Sequence, residues 1–136
     1  MAEFVMKDLL RKAGCESVVV ESAALHTDEI GSDMHHGTKA KLREKGIPFA
    51  PRRAWLLTRE KSADYDLIIC MDRYNMADLR RLLAENDRFK AKMLLSFAGR
   101  DGDEVADPWY TGDFEATWRD VTAGCEGLLG VFTHLR

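Results

Sequence analysis

Tyr65-Asp66-Leu67-Ile68-Ile69-Cys70-Met71-Asp72 is the stretch that decides the fold of this chain. Its apolar residues from Leu67 to Met71 follow one another without a polar interruption, which is typical of a strand buried on both faces of a parallel sheet. Residues 73–84 are predicted to form a helix because apolar side chains recur there with a helical period, at Met76, Leu79, Leu82 and Leu83. A buried strand that leads directly into an amphipathic helix indicates an α/β fold.

Further helices and strands are predicted on both sides of this stretch. A helix is expected at residues 2–13, with Gly14 at its end, and another at residues 34–45, capped by Ser32 or Asp33 and stopped by Gly46. A third is expected at residues 113–132, and residues 58–61 should form one helical turn. Strands are expected at residues 17–22, where Val18-Val19-Val20 is β-branched, and at residues 93–97. Helices and strands therefore alternate, which predicts a three-layer α/β/α fold with a parallel sheet in a single domain, residues 1–136.

Composition narrows the possible functions. The net charge of −3 gives no general attraction to nucleic acid or to an anionic membrane, and no apolar run approaches the roughly 20 residues that span a bilayer. No basic and then apolar leader is present, and the three cysteines are widely spaced, so a cytoplasmic location is expected. His26, His35 and His36 have no carboxylate or cysteine at zinc spacing and are predicted to be solvated. We therefore expect no metal and no cofactor.

Several segments resemble, in order, the low molecular weight protein tyrosine phosphatase family. Met1-Ala2-Glu3 is similar to the start of the helix after the family's cysteine loop, and Glu21-Ser22-Ala23-Ala24 to the exit of its second strand. The most specific segments are Cys70-Met71-Asp72 with Asn75, and Asp107-Pro108-Trp109-Tyr110. The resemblance covers essentially all 136 residues and implies the phosphotyrosine protein phosphatase I (flavodoxin-like) fold.

The resemblance implies a metal-free, two-step hydrolysis of phosphotyrosine proteins or aryl phosphates. In the family a cysteine attacks phosphorus, and an arginine six residues later holds the phosphoryl oxygens. An aspartate protonates the phenolic leaving group, and by resemblance Asp107 is that general acid. Trp109 and Tyr110 would flank the substrate ring, while Ser22 and Asp72 would support the phosphate-binding loop.

Two departures from the family pattern bear on activity. No cysteine of this chain has an arginine six positions later: Glu21 follows Cys15 at that spacing, Met76 follows Cys70, and Val131 follows Cys125. Residues 50–53 also lack a histidine that many members carry in the matching segment. As written, the chain is therefore predicted to be inactive.

The resemblance also implies that the family's central first strand is missing, because Met1 leads directly into a helix. Residues 17–22 would then lack a neighbour, and unpaired buried backbone groups cost about 1–3 kcal/mol each. We therefore expect dimerisation or strand exchange. One simple explanation is a start site placed after the cysteine loop, so that this chain is a fragment of a longer, active protein.

Several alternatives remain open. The chain could be an inert binding or regulatory homologue of the same fold, or an arsenate-reductase-like protein, although those enzymes also use the missing cysteine. Asp107-Pro108 could be a simple turn, and Trp109 and Tyr110 could be core or interface aromatics. Arg52 and Arg53 could bind phosphate but are more typical of a solvated surface, and Cys70 is expected to be an inert core residue.

Overall fold

Two parallel strands form the sheet in the described part of this protein. The computed structural model describes residues 1–27, 31, 33–51, 53–107 and 112–134. Strand β1 (Ile68–Cys70) pairs with β2 (Ala91–Met93), with Ile68 opposite Ala91 and Cys70 opposite Met93. The predicted α/β class with a parallel sheet is confirmed, but each strand has only three residues.

The helices occupy the predicted parts of the chain. In the described residues they are α1 (Ala2–Lys12), α2 (His36–Glu44), α3 (Arg59–Ser62), α4 (Arg73–Leu82) and α5 (Phe114–His134). Two 3₁₀ helices flank β2, at Glu85–Lys90 and Leu94–Ala98. The order along the chain is α1, α2, α3, β1, α4, 3₁₀, β2, 3₁₀, α5.

Helix α1 is stabilised by a buried apolar face and by charges at its two ends. Its buried side chains include Phe4, Val5, Met6 and Leu10, and Gly14 ends it in the left-handed region, at φ 72°. Glu3 in the first turn and basic residues in the last turn oppose the helix dipole. The buried Asp8 forms ion pairs with Arg11 and Lys12, so its charge is compensated where it leaves water.

The N-terminal cap of helix α2 differs from the predicted Ser32 or Asp33. The cap is His35, whose Nδ1 accepts a hydrogen bond from the backbone N–H of Gly37 at 3.0 Å. Asp33 accepts instead from the backbone N–H of Met34, at 2.7 Å, and Ser32 lies outside the described residues. The imidazole replaces the shorter side chains because the helix begins at His36, two residues later than predicted.

The predicted strand at residues 17–22 is wrong as a sheet strand. In the described part of the chain these residues have no ladder partner, and parallel pairing begins only at a single bridge between Ala24 and Leu56. Val18 and Val20 pack against the core, whereas Val19 is 78% exposed. The β-branched run sets an alternating in-and-out pattern, but a ladder also requires a neighbouring strand.

The predicted strand at residues 93–97 is also wrong, because β2 ends at Met93 and Leu94–Ala98 turns into a 3₁₀ helix. The Ser96 hydroxyl donates to the Met93 carbonyl at 2.6 Å, and Gly99 closes the segment at φ 74°. Leu94 and Leu95 are both buried, and Leu94 packs against Gly124 of α5.

Two glycines of α5 allow the close approach of that 3₁₀ helix. A Cβ on Gly124 would lie 2.4 Å from the Leu94 side chain, and one on Gly127 would lie 1.9 Å from the Phe97 carbonyl oxygen. Glycine lowers the intrinsic helix propensity of α5, so this close contact helps to stabilise the helix.

The described residues form two core clusters, one on each side of the sheet. One cluster joins α1, α2, α5 and the second 3₁₀ helix, and Ile69 of β1 packs against it. The other contains Cys70 of β1 with Leu57, Leu79, Leu83 and Ala91. Successive residues of β1 therefore face opposite clusters, as in a sheet covered on both faces.

Candidate active site

The segment that ends in Asp107 is anchored to the carboxyl end of β1. The Val105 backbone N–H donates to the Met71 carbonyl at 3.0 Å, directly after the strand. In open α/β folds, binding sites lie at the carboxyl ends of the parallel strands. Asp107 itself is exposed and lies two residues beyond this hydrogen bond, so it stands at the edge where such a site is expected.

The peptide groups of Ala106 are held by helix α5. Its N–H donates to Asp120 Oδ2 at 3.0 Å, and its carbonyl accepts from the Thr117 hydroxyl at 2.7 Å. Thr117 is buried, at 7% exposure. Asp107 therefore directly follows a residue whose backbone N–H and carbonyl are both hydrogen-bonded to α5.

Two arginines hold the earlier part of the same loop. Arg100 donates from Nε to Asp103 and from Nη1 to Asp120, at 3.0 Å in each case. These two carboxylates raise the pKa of the Arg100 guanidinium, the Asp120 hydrogen bond being the largest cause. Arg73 Nη2 donates to the Gly102 carbonyl at 2.8 Å, which ties the loop to the start of α4.

Asp72 lies next to the same anchor and caps α4. Its Oδ1 accepts from the backbone N–H of Asn75 at 2.8 Å, and its Oδ2 lies 3.4 Å from the Asn75 side-chain amide. The carbonyl of Met71, one residue earlier, is the acceptor for Val105. The structure thus brings Asp72 and the Asp107 segment to the same end of β1.

Ser22 lies at the start of α1 instead. Its hydroxyl donates to Glu3, which also binds Lys7 at 2.6 Å. Met1 and Ala2, beside Glu3, pack against the same core cluster as Met71 and Val105, which lie next to Asp72 and in the Asp107 segment. The predicted support residues therefore form two groups on one core.

Some sequence predictions fall where the structure gives no description. Trp109 and Tyr110, the predicted aromatic wall, lie outside the described residues, as does Arg52. His35, predicted to be solvated, is half-buried and stacks on Phe114 with ring centroids 5.6 Å apart. His26 is an exposed surface residue, 3.2 Å from an Asp78 oxygen.

The three cysteines are all buried free thiols. Desolvation raises the pKa of Cys70 to about 12, and Asp72 adds to the effect. Desolvation likewise raises the pKa of Cys125 to about 12, against a lowering by the N-terminal amine. A nucleophilic cysteine needs the opposite environment, one that lowers its pKa.

Within the described residues, no group of three or more His, Cys, Asp or Glu side chains is arranged to hold a metal ion. None of the helices in this part of the chain is long and apolar enough to cross a membrane.

Sequence reasoning missed Arg100, Thr117 and Asp120, which fix the Asp107 loop. Thr117 and Asp120 are spaced i, i+3 on α5 and so share a face, but no local pattern indicates that this face meets residue 106. The signal is tertiary, since the partners are 11 and 14 residues apart.

Relatives of this chain are phosphatases by name. A model of the low molecular weight phosphotyrosine protein phosphatase family matches residues 1–136. The low molecular weight protein-tyrosine-phosphatase YfkJ of Bacillus subtilis is 36% identical over 132 residues, covering 95% of this chain and 84% of the relative. The phosphatase PtpA of Staphylococcus saprophyticus is 31% identical over 131 residues, covering 95% and 82%.

Solved structures agree with the sequence relatives. The crystal structure of YfkJ superposes with a TM-score of 0.90 at 34% identity, covering 99% of this chain and 86% of that one. A low molecular weight protein tyrosine phosphatase from Streptococcus pyogenes superposes with a TM-score of 0.82 at 32% identity, covering 95% and 81%.

Proposed function

The chain belongs to the low molecular weight phosphotyrosine protein phosphatase family, and on that premise we propose that it is the scaffold of a phosphotyrosine hydrolase in which Asp107 is the general acid. The observation that carries this proposal is the double hydrogen bond on Ala106, which fixes the residue before Asp107. An exposed carboxylic acid at the carboxyl end of β1 can give a proton to a phenolate leaving group. The substrate class is a phosphotyrosine protein or an aryl phosphate.

We further propose that the 136 residues by themselves do not hydrolyse phosphotyrosine. The chain contains no cysteine with an arginine six residues later. Cys70 and Cys125 have pKa values raised to about 12, so both stay protonated at neutral pH. A thiol with that pKa is a poor nucleophile towards phosphorus, whatever acid stands beside it.

The test compares two proteins, the 136-residue chain and a chimera that places the strand and Cys-x5-Arg loop of a relative before Met1. The unmodified chain should release no phenol from an aryl phosphate above background. The chimera should hydrolyse it, and Asp107→Asn should lower its kcat by about 10²–10⁴-fold, the usual effect of a general acid. Asp101→Asn, an exposed aspartate of the same loop, is the matched control and should change little.

Each other outcome has a clear meaning. Hydrolysis by the unmodified chain that survives Asp107→Asn would overturn the proposed acid. Binding of a phosphotyrosine peptide without hydrolysis, in the chain and the chimera alike, would favour the regulatory homologue. The genomic DNA read in frame upstream of Met1 adds an independent test, because it either encodes a strand and a Cys-x5-Arg loop or it does not.

We also propose that the chain forms dimers or exchanges strands through residues 17–22. These residues have no described ladder partner, and an unpaired extended edge is a template for another strand. Val19→Lys at this edge should shift the protein towards monomer in sedimentation velocity, because it places a charge on a surface that is 78% exposed. Val131→Lys, on α5 and 39% exposed, is the control and should leave the distribution unchanged.

A cytoplasmic location is part of the same proposal. The three cysteines are free thiols, and buried free thiols are typical of proteins from a reducing compartment.

A further inference from the structure

We propose that Thr117 and Asp120 are positioning residues for Asp107, because together they fix the peptide groups of Ala106. This inference rests on the proposed role of Asp107 as the acid, but the contacts that carry it belong to the fold itself. It assigns a role to one face of α5 that neither the sequence motifs nor the relatives' names indicate.

Helix α5 makes two hydrogen bonds to the loop at a single residue, Ala106. The Asp120 carboxylate accepts the Ala106 N–H at 3.0 Å, and the Thr117 hydroxyl donates to the Ala106 carbonyl at 2.7 Å. The same hydroxyl lies 3.4 Å from the Asp113 carbonyl, a longer contact within its own helix turn. Since a hydroxyl has one proton, the shorter bond to Ala106 is the one it makes.

Both positioning residues are shielded from water in different degrees. Thr117 is 7% exposed, and the Asp120 side chain is 17% exposed. Arg100 donates to Asp120 Oδ1 and holds that carboxylate in place, so Oδ2 points to the Ala106 N–H. A charge-assisted bond to a carboxylate that is itself held is stronger and more directional than a neutral one.

The position of Asp107 follows from this arrangement. Val105 is bound to Met71, and Ala106 is bound to α5 on both sides. The last backbone torsions before Asp107 therefore have little freedom. An acid must lie within hydrogen-bond reach of the leaving oxygen, so a small displacement of this backbone would weaken proton transfer.

Helix α5 supplies a matched control. Thr122 is on the same helix, and its Oγ1 is buried with no hydrogen-bond partner among the described residues. Thr122→Val removes a hydroxyl without breaking a bond, whereas Thr117→Val removes the bond to Ala106 with the same change of atoms. Thr117→Ser keeps the hydroxyl and is the conservative rescue.

The test uses the 136-residue chain and nuclear magnetic resonance. Thr117→Val should speed amide exchange at residues 105 and 106 by roughly threefold to tenfold, the effect of one lost hydrogen bond. It should also move the carboxyl carbon resonance of Asp107. Asp120→Asn should move the same signals, since it removes the charge that binds the Ala106 N–H. Thr122→Val and Thr117→Ser should leave them as in the wild type.

Two results would overturn the proposal. One is an Asp107 resonance that does not move in Thr117→Val or Asp120→Asn. The other is an equal shift in Thr117→Val and Thr122→Val, which would mean that α5 packing in general, and not the Ala106 bonds, sets the signal. Failure of the acid role is a separate result, because it appears as unchanged hydrolysis in the Asp107→Asn chimera while these resonances still respond.

Discussion

Residues 17–22 and strand β1 both have high β-propensity, but they differ in strand pairing. Val18-Val19-Val20 and Ile68–Cys70 are both short runs with high β-propensity. Ile68–Cys70 pairs with Ala91–Met93, whereas the valine run has no ladder partner in the described part of the chain. The difference teaches that propensity makes a segment extended, but only a neighbour makes it a strand.

The neighbour of β1 is provided by the chain that follows it. Helix α4 and the first 3₁₀ helix bring Ala91–Met93 back alongside β1, and both strands share the cluster around Leu79. The two segments differ in burial as well, since Cys70 is 6% exposed and Val19 is 78% exposed. Substitutions around β1 should therefore lower the free energy of unfolding strongly, whereas a substitution at Val19 should hardly change it.

The largest expected loss of stability comes from a substitution in the core cluster beside β1. Leu79→Ala should lower the free energy of unfolding by about 2–5 kcal/mol, because it removes a large side chain that is 0% exposed. Val19→Ala should change it by less than about 0.5 kcal/mol. Urea denaturation of the two variants and the wild type measures both values.

The same experiment tests the proposal that residues 1–136 are one domain. Fluorescence and circular dichroism should then give coincident, single transitions. Two separated transitions, or a Val19→Ala loss equal to that of Leu79→Ala, would contradict the distinction between the two segments.

A smaller effect is expected where α5 holds the segment after β2. Gly127→Ala should destabilise the protein by about 1–3 kcal/mol, because the new Cβ would lie 1.9 Å from the Phe97 carbonyl oxygen and force a backbone shift. The new Cβ of Gly130→Ala meets no atom of the described residues within 4 Å, so this variant should stabilise α5 by up to about 1 kcal/mol. If both variants have the same melting temperature, the close packing of α5 on this 3₁₀ helix is not a determinant of the fold.

The smallest effect concerns the far end of the valine segment, where Tyr65 donates to Glu21. This hydrogen bond, aided by burial, raises the pKa of Tyr65 to about 12, from about 10 in an unfolded chain. The pKa is raised on folding, so the stabilisation is complete below pH about 10 and is lost as the pH rises towards 12. Glu21→Gln should therefore lower the pKa of Tyr65 and make stability fall less over this range.

Tyrosinate absorbance and denaturation at several alkaline pH values check this prediction. Cys70 and Cys125 also have pKa values raised to about 12, but they are present in both proteins, so the difference isolates Tyr65. Glu16→Gln, at an exposed glutamate, is the control. An unchanged late tyrosinate titration in Glu21→Gln would show that Glu21 does not hold Tyr65.

Much of the architecture was predictable because it is local. The apolar period and Gly14 place α1, the Thr58 cap places α3, and Asp72 caps α4 within one residue of the predicted start. The errors arose where tertiary packing, and not local propensity, decides the structure. Residues 94–98 form a 3₁₀ helix against the glycine face of α5, and residues 17–22 have no ladder partner in the described part of the chain.

The candidate site divides in the same way. Asp107, Ser22 and Asp72 could be selected from sequence by resemblance, because each belongs to a short, ordered motif. The roles of Arg100, Thr117 and Asp120 could not be selected, because they depend on which face of α5 meets residue 106.

The sequence by itself determined the family, the α/β class, the helices and the absence of a Cys-x5-Arg loop among these 136 residues, because each is carried by residue identity and short-range spacing. Only the tertiary structure decided which extended segments became strands and how the backbone before Asp107 is held. Ladder pairing and the bonds to Ala106 join groups far apart in the chain, and whether they form depends on packing that no local pattern contains.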